Sequence, residues 1–331
     1  MAQDTSSDSH GWHLVSLECE ITPEQTGMRL DKVAVQLLPD YSRTQITSWI
    51  RSGALQVNQA NVNPSSKVMG GQVITVSARL VEEESWYMPQ EVPFGVVYED
   101  EHLMVVDKPV GLVVHPGAGN RDHTLVNGLM GFDELQARLP RAGLIHRLDK
   151  DTSGLLLVAR TSRCFKLLTI ALKNREIKRR YHAVVEGVLT GGMTIDAPMG
   201  RDPNNRIRQK VQDSGRPAIS HVSVLDRYRA HTLIGVRLET GRTHQIRVHM
   251  SHMSYPLLGD ALYGARSRLP KDPHPDLPPV IRAFNRQALH ACNLQFTHPA
   301  TKEWLECNSP RPDDLEVLVK TLKQDRDTCV D

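Results

Sequence analysis

Apolar residues recur along the chain at helical spacing in some segments and as short continuous runs in others. Near the N-terminus, four of them follow the i, i+3, i+4, i+7 spacing of one helix face: Leu30, Val33, Ala34 and Leu37. Ser42 with Gln45 forms a capping-box pattern, which predicts a second helix that stops at Gly53. Two short strands are predicted after it, Leu55–Val57 and Val73–Val76. Residues 27–77 therefore predict a small compact unit.

The rest of the chain alternates between the two patterns. Strand-like runs occur at Gly95–Tyr98, Leu103–Val106, Leu155–Ala159, Tyr181–Val185 and Leu233–Leu238. Helix-like runs occur at Cys164–Asn174, Thr243–His252 and Asp313–Leu322. This mixture predicts an α+β fold over residues 93–325, with a large, mainly antiparallel sheet flanked by helices. The order of the strands does not follow from the pattern.

Two segments fall outside these units. Residues 1–26 are expected to form a polar tail followed by an extended segment around Leu14–Ile21. Residues 78–92 contain three successive glutamates followed by Pro89, with Pro93 directly after them, a composition that opposes regular structure. We therefore expect a linker at 78–92.

Charge is distributed unevenly, although the formal net charge of the 331 residues is only +2. Residues 160–180 and 201–216 are strongly basic, whereas the first twenty residues contain no Lys or Arg. A polyanionic partner such as RNA would therefore meet local positive patches. Solvated helix faces are the alternative interpretation of each basic run.

The five cysteines are scattered and form no CxxC pair, which argues against a disulfide framework or a zinc knuckle and favours a reducing compartment. The chain has no apolar run of membrane-spanning length and no secretory signal pattern. We therefore expect a cytoplasmic protein without membrane contact. No heptad repeat is visible, so a monomer is expected.

A polar loop, residues 146–154, lies between two apolar runs, and the second run, Leu155–Ala159, is typical of a buried strand. Packing so polar a loop against a buried strand requires its polar groups to be satisfied. Functional residues are often held on such loops by a rigid scaffold. The loop is therefore a candidate site, although a turn in which Asp149 and Asp151 cap backbone amides stays open.

A second polar segment, residues 238–249, predicts a turn that opens a helix. Such a turn could place Arg242 and the first helix amides against a phosphate. Helical spacing makes His244 and Arg247 neighbours, and a structural ion pair is an alternative role for Arg247. A metal site is also conceivable, but carboxylates at ligand spacing and an HExxH pattern are missing around its three possible ligands: His244, His249 and His252.

The two segments resemble the signature motifs of the RluA-type pseudouridine synthases. The first motif is His146–Gly154, with the sequence His-Arg-Leu-Asp-Lys-Asp-Thr-Ser-Gly, and the second is Gly241–His249, with the sequence Gly-Arg-Thr-His-Gln-Ile-Arg-Val-His. Further blocks agree in order: Asp107–Gly111 with Val114–Gly119, Leu258–Gly264 and Arg286–Ala291. The resemblance covers about residues 93–310. Residues 27–76 are similar to an S4 RNA-binding domain, the usual N-terminal partner in this family.

The resemblance implies an RNA-modifying isomerase with Asp149 as its catalytic carboxylate. Asp149 would attack C1′ of the ribose as a nucleophile or remove the C2′ proton, and the sequence does not choose between these routes. Arg247 matches the Arg that pairs with this carboxylate, Tyr181 matches the aromatic residue that stacks on the target base, and Ile246 matches the apolar residue on its other side. The reaction involves no redox step and no net hydrolysis, so no cofactor or metal is expected.

The resemblance also implies RNA-binding residues. The target uridine must leave its stack, and Arg147 matches the Arg that takes its place. His146 and Arg242 are further candidates for RNA contact in the two motifs. In the S4-like unit, the candidate contacts to the RNA backbone are Arg29, Lys32, Arg43 and Arg51.

Within the family, the segments Pro109–Gly119 and 241–249 are similar to members that act on large-subunit ribosomal RNA. This implies the helix 69 stem-loop of 23S RNA as the substrate, either free or in an assembling large subunit. One alternative is a synthase of the same family that acts on other ribosomal RNA sites. Two others are a non-catalytic RNA-binding or ribosome-assembly factor and a His-dependent metallohydrolase acting on RNA.

Overall fold

The structure, a computed structural model, describes residues 7–8, 12–39, 41, 43–81, 88–117, 119–205, 207–264 and 267–328. The chain divides into two compact units, Met1–Ser85 and Trp86–Asp331. Ser42, the expected cap of the second helix, lies outside the described residues. Within them, every helix is too short or too polar to cross a membrane.

The first unit combines a four-stranded antiparallel sheet with two helices. The strands are β1 (Ser7–Asp8), β2 (Trp12–Glu20), β3 (Leu55–Val57) and β4 (Val73–Val81), in the order β1-β2-β4-β3. The helices are α1 (Leu30–Leu37) and α2 (Arg43–Ser52), and a 3-10 turn covers Pro23–Gln25. The predicted apolar faces of both helices and the inner face of the sheet share one core, which includes Leu30, Val33, Ala34, Ile46, Trp49 and Ile50.

β2 and β4 are more extensive than the sequence pattern predicts. They pair along their whole length, from Trp12 opposite Val81 to Glu20 opposite Val73. Residues 12–20, which we assigned to the tail and extended segment, are therefore part of this sheet. Residues 78–81, which we assigned to the linker, are the end of β4. A sheet buried on one face keeps polar residues on the other, so charged positions obscured both strands in the sequence.

The second unit contains one sheet of nine strands among the described residues. Its order is β5-β6-β7-β14-β8-β13-β12-β9, with β15 also paired to β14. β7 and β14 run parallel and every other pair is antiparallel, so the predicted α+β class with a mainly antiparallel mixed sheet is confirmed. The strands are β5 (Gly95–Glu99), β6 (Leu103–Lys108), β7 (Ser153–Ala159), β8 (Lys178–Glu186), β9 (Met193–Asp196), β12 (Ile219–Arg227), β13 (His231–Leu238), β14 (Leu289–Thr297) and β15 (Trp304–Asn308). A separate hairpin pairs β10 (Met199–Arg201) with β11 (Gln209–Val211).

Helices cover both faces of the nine-stranded sheet. They are α3 (Leu125–Phe132), α4 (Ser162–Lys173), α5 (Gln245–His252), α6 (Leu277–Ala283) and α7 (Asp313–Thr328), with 3-10 turns at Glu134–Arg138 and Pro140–Gly143. Alternate residues of β7 divide between two cores: Leu156 and Val158 pack with α3 and α5, whereas Leu155 and Leu157 pack with α4. α6 and α7 pack against the other side of β8, through Val184.

The strand order brings the two candidate segments together. The polar loop 146–152 leads directly into β7, and α5 follows β13 after a short turn. β8 lies between these two strands in the sheet, separated from β7 only by β14. Tyr181 of β8 is paired with Val236 of β13 and Ala291 of β14, so its backbone is fixed at the centre of the sheet. The two motifs are therefore held on a rigid scaffold on either side of Tyr181.

Gly154 fixes how the polar loop enters the sheet. Its φ of +110° is unfavourable for other residues, and a Cβ there would lie 2.3 Å from the carbonyl oxygen of Ala291 on the neighbouring strand. We expect Gly154→Ala to lower the free energy of unfolding by about 2–4 kcal/mol in urea titrations.

The matched control is Gly111→Ala. Gly111 has a φ of +82° but no atom within 4 Å of an added Cβ, so only the backbone cost of about 1–2 kcal/mol applies. Equal losses in the two variants would show that the close approach to Ala291 is unimportant.

Candidate active site

A cleft of about 680 Å³ opens where the polar loop meets α5. Its lining includes three predicted site residues, Asp149, Tyr181 and Arg247. Asp149 is on the loop, Tyr181 is on β8 and Arg247 is on the first turns of α5. The fold thus brings into one cleft residues that are far apart in the sequence.

Arg247 joins two carboxylates. Its Nη1 donates a hydrogen bond to Oδ2 of Asp149 at 3.1 Å. Its Nε and Nη2 donate to the two carboxylate oxygens of Asp260 at 2.7 and 2.9 Å. Backbone amides of Leu262 and Tyr263 donate to Oδ1 of Asp260 at 2.9 and 3.0 Å. Asp260 therefore binds one edge of the guanidinium through two hydrogen bonds, and the other edge faces Asp149.

The ion pair between Arg247 and Asp260 keeps both side chains charged although both are buried. Arg247 and Asp260 are both buried, which disfavours their charged forms. Despite this burial, the hydrogen bonds and positive charge of Arg247 hold the pKa of Asp260 below its ordinary value. Asp260 and Asp149 in turn raise the pKa of Arg247 despite its burial. Both groups therefore stay ionised, and Arg247 keeps a positive charge against Asp149.

His244 approaches Asp149 from a second side. It precedes α5 in a left-handed conformation, with φ of 58°, and its Nε2 lies 3.9 Å from Oδ1 of Asp149. The hydroxyl of Tyr263 accepts a hydrogen bond from the Gln209 amide at 2.8 Å and also lies 2.8 Å from Nδ1 of His244. Burial lowers the pKa of His244, which favours the neutral ring, and Nε2 is the ring nitrogen on the side of Asp149.

Lys108 fixes the backbone of the loop. Its side chain is fully buried at the end of β6, and its Nζ donates to the carbonyl oxygens of Pro109, Leu112 and Lys150 at 2.7, 3.0 and 2.9 Å. Burial lowers the pKa of Lys108 to about 8, and the negative charges of Asp151 and Asp149 oppose this shift. Since Lys150 directly follows Asp149, these hydrogen bonds hold the polar loop against the sheet.

Tyr181 and Ile246 form the apolar wall of the cleft. Both are buried, line the cleft and belong to the core that also contains Leu148 of the loop. Burial raises the pKa of Tyr181, so its phenol stays protonated at neutral pH. The two side chains that the resemblance assigned to the faces of a bound base are therefore in one cleft with Asp149.

Three further predicted residues of the second unit also line the cleft, in different environments: His146, Arg147 and Arg242. Arg147 is exposed. Nε2 of His146 accepts a hydrogen bond from the Leu157 amide at 3.3 Å, and burial followed by the charge of Arg179 lowers the pKa of His146 to about 3. Arg242 is half-buried and its Nε donates to the Pro217 carbonyl at 3.1 Å.

The turn before α5 differs from our expectation. We expected the helix to begin near Thr243, with Arg242 and the first amides open to a phosphate, but α5 begins at Gln245. Oε1 of Gln245 accepts hydrogen bonds from the Thr240 hydroxyl and the Arg242 amide at 2.9 and 3.0 Å. The Arg242 amide is therefore occupied within the turn.

In the first unit, the four predicted cations fall into two groups. Arg29 and Arg43 both pair with Asp31, at 3.0 and 3.1 Å, while keeping about half or more of their side chains exposed. Lys32 and Arg51 are exposed on α1 and α2. Although Asp31 itself is buried, the exposed parts of Arg29 and Arg43, like Lys32 and Arg51, are open to a polyanion.

Two of the three histidines of the metal alternative, His244 and His249, are engaged in other contacts. Nδ1 of His249 lies 2.9 Å from the Ser220 hydroxyl and its Nε2 lies 3.0 Å from the Ala197 carbonyl oxygen. His244 uses Nδ1 for Tyr263. Across the described parts of the chain, no group of three or more metal-ligating side chains is suitably arranged.

Known proteins resemble the chain over nearly its whole length. Residues 102–252 match the family model described as RNA pseudouridylate synthase, and residues 28–74 match the S4 domain model. A Xanthomonas campestris protein named ribosomal large subunit pseudouridine synthase D is 45% identical, with 94% of each chain covered. A Pseudomonas aeruginosa protein of the same name is 46% identical, covering 96% of this chain and 99% of the relative.

The chain belongs to the RNA pseudouridylate synthase family. The resemblance found in the sequence is confirmed, and the synthase carries an S4 domain at its N-terminus. A solved structure of human RNA pseudouridylate synthase domain containing 4 shares its fold, with a TM-score of 0.54 and 23% identity over 69% of this chain and 93% of that chain. Human RNA pseudouridylate synthase domain containing 1 gives a TM-score of 0.53, with 23% identity over 70% of this chain and 95% of that chain.

Sequence reasoning missed several residues that build the cleft. Lys108 and Asp260 lie in blocks that matched the family, but no role was assigned to them. The available signal was a charged residue at the end of an apolar strand run for Lys108 and an acidic residue in a Gly-rich turn for Asp260. Arg179 lies in the basic run 160–180 and Tyr263 in the block Leu258–Gly264, but neither signal singled out the residue, because the neighbours of each in the fold come from distant parts of the chain.

Replacement of Asp260 tests the buried ion pair. We expect Asp260→Asn to lower the free energy of unfolding at pH 7 by about 3–5 kcal/mol, because it leaves Arg247 without its buried partner. The folded-state pKa of Asp260 is lowered, so its contribution is complete above the ordinary pKa of about 3.9 and is lost as pH falls through the folded value. The difference in Tm between the two proteins should therefore narrow below about pH 4.

Asp276→Asn provides the control, since the side chain of Asp276 is 68% exposed. Its melting curves should follow wild type at every pH. A constant Tm difference for Asp260→Asn from pH 7 to pH 3 would contradict the assignment of Asp260 as the ionised partner.

Proposed function

We propose that this synthase converts uridines of large-subunit (23S) ribosomal RNA to pseudouridines and that Asp149 carries the reaction. The observation that carries the proposal is the cleft in which Arg247 presents its guanidinium edge to Asp149 beside Tyr181. The RNA class is supported by relatives about 45% identical over nearly the full length, which are named ribosomal large subunit pseudouridine synthase D.

The chemistry requires one carboxylate near the sugar. The bond from C1′ to N1 of uracil breaks, the base turns, and C1′ bonds to C5, which loses its proton while N1 gains one. In one route, Asp149 attacks C1′, uracil leaves, and C5 later displaces the carboxylate. In the other, Asp149 removes the C2′ proton to give a glycal and later returns it. Atoms balance in both routes without a cofactor.

Arg247 supports either route by controlling Asp149. A carboxylate shielded by RNA tends to take up a proton, and an adjacent guanidinium favours the ionised form. Asp260 fixes the guanidinium through two hydrogen bonds, so the direction of the bond to Asp149 is also set. The neutral His244 ring places Nε2 on the side of the other carboxylate oxygen.

Tyr181 and Ile246 suit the flat uracil ring. In our proposal, the flipped base lies between them, and its stacking offsets part of the cost of leaving the RNA helix. Arg147, exposed at the mouth of the cleft, fills the space that the base vacates, because a planar guanidinium both stacks and donates hydrogen bonds. His146 and Arg242 complete the protein side of the mouth.

Two domains hold the RNA in this proposal. Residues 27–77 act as an RNA-binding domain whose backbone contacts are Arg29, Lys32, Arg43 and Arg51, and residues 93–325 act as the catalytic domain. The helix 69 stem-loop is the proposed substrate, in free RNA or in the assembling large subunit, because stem-loops offer both a shape and splayed bases to read. Mapping that finds helix 69 fully modified in cells lacking the gene would exclude this target.

We also propose that the synthase acts in the cytoplasm as a monomer. The described cysteines, Cys19, Cys164, Cys292 and Cys307, are free thiols, which suits a reducing compartment.

Release of tritium from C5-tritiated uridine tests the reaction. We expect wild type to release tritium from unmodified large-subunit RNA in the presence of a chelator, because C5 loses its hydrogen when it bonds to C1′. Asp149→Asn should reduce release at least about 10⁴-fold while its Kd for RNA changes by less than about threefold.

Asp151→Asn is the matched control, since Asp151 lies two residues further along the same loop, and it should release tritium at nearly the wild-type rate. RNA binding without tritium release by wild type, from both free RNA and immature subunits, would establish a non-catalytic binding protein instead. Release by Asp149→Asn at the wild-type rate would remove Asp149 from the mechanism.

A further inference from the structure

One buried arginine of the catalytic unit differs from the others in its surroundings. Three arginines are less than 9% exposed: Arg179 at 6%, Arg247 at 8% and Arg286 at 7%. Arg247 pairs through two nitrogens with Asp260, and Arg286 pairs through two nitrogens with Asp314. Among the described residues, no hydrogen bond or ion pair reaches the guanidinium of Arg179, and its buried Nε has no acceptor.

Among the residues that the structure describes, no carboxylate pairs with Arg179 to compensate this charge. Two acidic side chains line the same cleft, Asp149 and Glu239. Asp149 is bonded to Arg247, and Glu239 is paired with both Arg175 and His221. A buried charge without a partner destabilises a folded protein. We therefore expect such a charge at a place where a bound ligand supplies the opposite charge.

A second donor in the cleft also lacks an acceptor. Nε2 of His146 accepts from the Leu157 amide, so in the neutral ring the proton is on Nδ1, which is buried and has no acceptor at hydrogen-bond geometry. A contact of the ring with the Arg147 backbone offsets only part of the effect of burial on the pKa of His146. The charge of Arg179 contributes, after burial, to the lowered pKa of His146, as expected for neighbouring groups. The cleft therefore contains two N–H groups suited to one anionic acceptor.

The position of Arg179 relates it to the nucleotide site. Arg179 and Tyr181 are two residues apart on β8 and project from the same face of the sheet, with Cα atoms about 6–7 Å apart. Gly241 leaves room for the guanidinium, because a Cβ there would lie only 2.6 Å from Nη1 of Arg179. A base stacked on Tyr181 thus brings its own sugar and phosphate within reach of Arg179.

We propose that Arg179, with Nδ1–H of His146 as a second donor, binds the backbone phosphate of the nucleotide that is flipped into the cleft. Uracil is neutral, whereas a phosphate supplies the full negative charge that the buried guanidinium lacks. This inference rests on the proposed function. It adds a buried phosphate subsite to a cleft whose other cations, such as Arg147 and Lys173, are more accessible to solvent.

Neutralising single phosphates tests the contact. The Kd of a synthetic helix 69 stem-loop RNA is measured in the Asp149→Asn background, with and without a methylphosphonate at the flipped nucleotide. We expect Arg179→Met to weaken binding of the natural RNA by about 10–100-fold. The methylphosphonate should weaken RNA binding by Asp149→Asn alone by a similar factor. It should not change the Kd of the protein that also carries Arg179→Met.

Two further variants sharpen the comparison. Lys173→Met removes a more exposed cation of the same cleft and should stay fully sensitive to the methylphosphonate. Gly241→Ala keeps Arg179 but displaces its guanidinium, and it should lose part of the sensitivity. The methylphosphonate can also be placed at each phosphate of the loop in turn. If at every position it weakens RNA binding of Arg179→Met by the same factor as that of Asp149→Asn alone, Arg179 does not bind phosphate.

Thermal unfolding without RNA separates a binding role from a structural one. Arg179→Met should melt at or above the Tm of wild type, because it removes an uncompensated buried charge. Arg286→Met should melt lower, because it breaks a paired guanidinium. Failure of Arg179→Met to fold, or melting as low as Arg286→Met, would overturn the inference.

Tritium release by wild type is measured in parallel, from the same stem-loop and from the RNA of immature subunits. Release by wild type together with additive effects of Arg179→Met and the methylphosphonate would overturn the phosphate subsite alone. Absence of release from either substrate would overturn the proposed function, while the phosphate comparison still reports on Arg179.

Discussion

The organisation of the cleft depends on one guanidinium that is shared by two carboxylates. Arg247 bonds Asp149, 98 residues away in the chain, and Asp260, 13 residues away. Asp260 receives two backbone amides besides Arg247, so it is the fixed end of this arrangement, and Asp149 is the end that faces the cleft. Because a guanidinium has a rigid fork of donors, fixing it at one edge also sets the position of whatever binds the other edge.

The polar groups around this pair are also buried, and they find their hydrogen-bond partners within the protein, on the side away from the cleft. Lys108 donates hydrogen bonds to three backbone carbonyls around the loop. The Tyr263 hydroxyl accepts a hydrogen bond from the Gln209 amide and contacts Nδ1 of His244. Such networks are stabilising only when every member has a partner. Arg179 and Nδ1 of His146 are the exceptions in the cleft, and in our proposal the RNA supplies the acceptor that both lack.

Much of this architecture was predictable from the sequence, for identifiable reasons. α1, β3 and β7 have apolar patterns that match their burial, and the two motifs led to Asp149 and Arg247 by resemblance. β14 was missed, although it lies in the middle of the sheet, because its buried positions include polar residues that mask a strand pattern: His290, Asn293 and Gln295.

The partnerships within the site were not predictable in the same way. Nothing in the spacing of Asp260 and Arg247 indicates a two-nitrogen ion pair, because the turn between α5 and Tyr263 decides it. The absence of a partner at Arg179 is likewise a property of the folded cleft, since the sequence does not show which cations of the basic run 160–180 meet a carboxylate from elsewhere in the chain. Sequence patterns identify which residues are unusual, whereas the packing determines which charges are compensated.

The central claim is that the fork of Arg247, fixed by Asp260, aligns Asp149 for its reaction at the sugar, whether Asp149 attacks C1′ or removes the C2′ proton. The most direct measurement is the single-turnover rate of uridine isomerisation by Arg247→Lys at saturating enzyme, with the Kd for RNA determined alongside. Lysine keeps the positive charge but has no fork with which to bond Asp260 twice and Asp149 at once. The account predicts a rate at least about 100-fold below wild type with a nearly unchanged Kd. A rate equal to that of wild type would contradict it, because charge alone would then suffice.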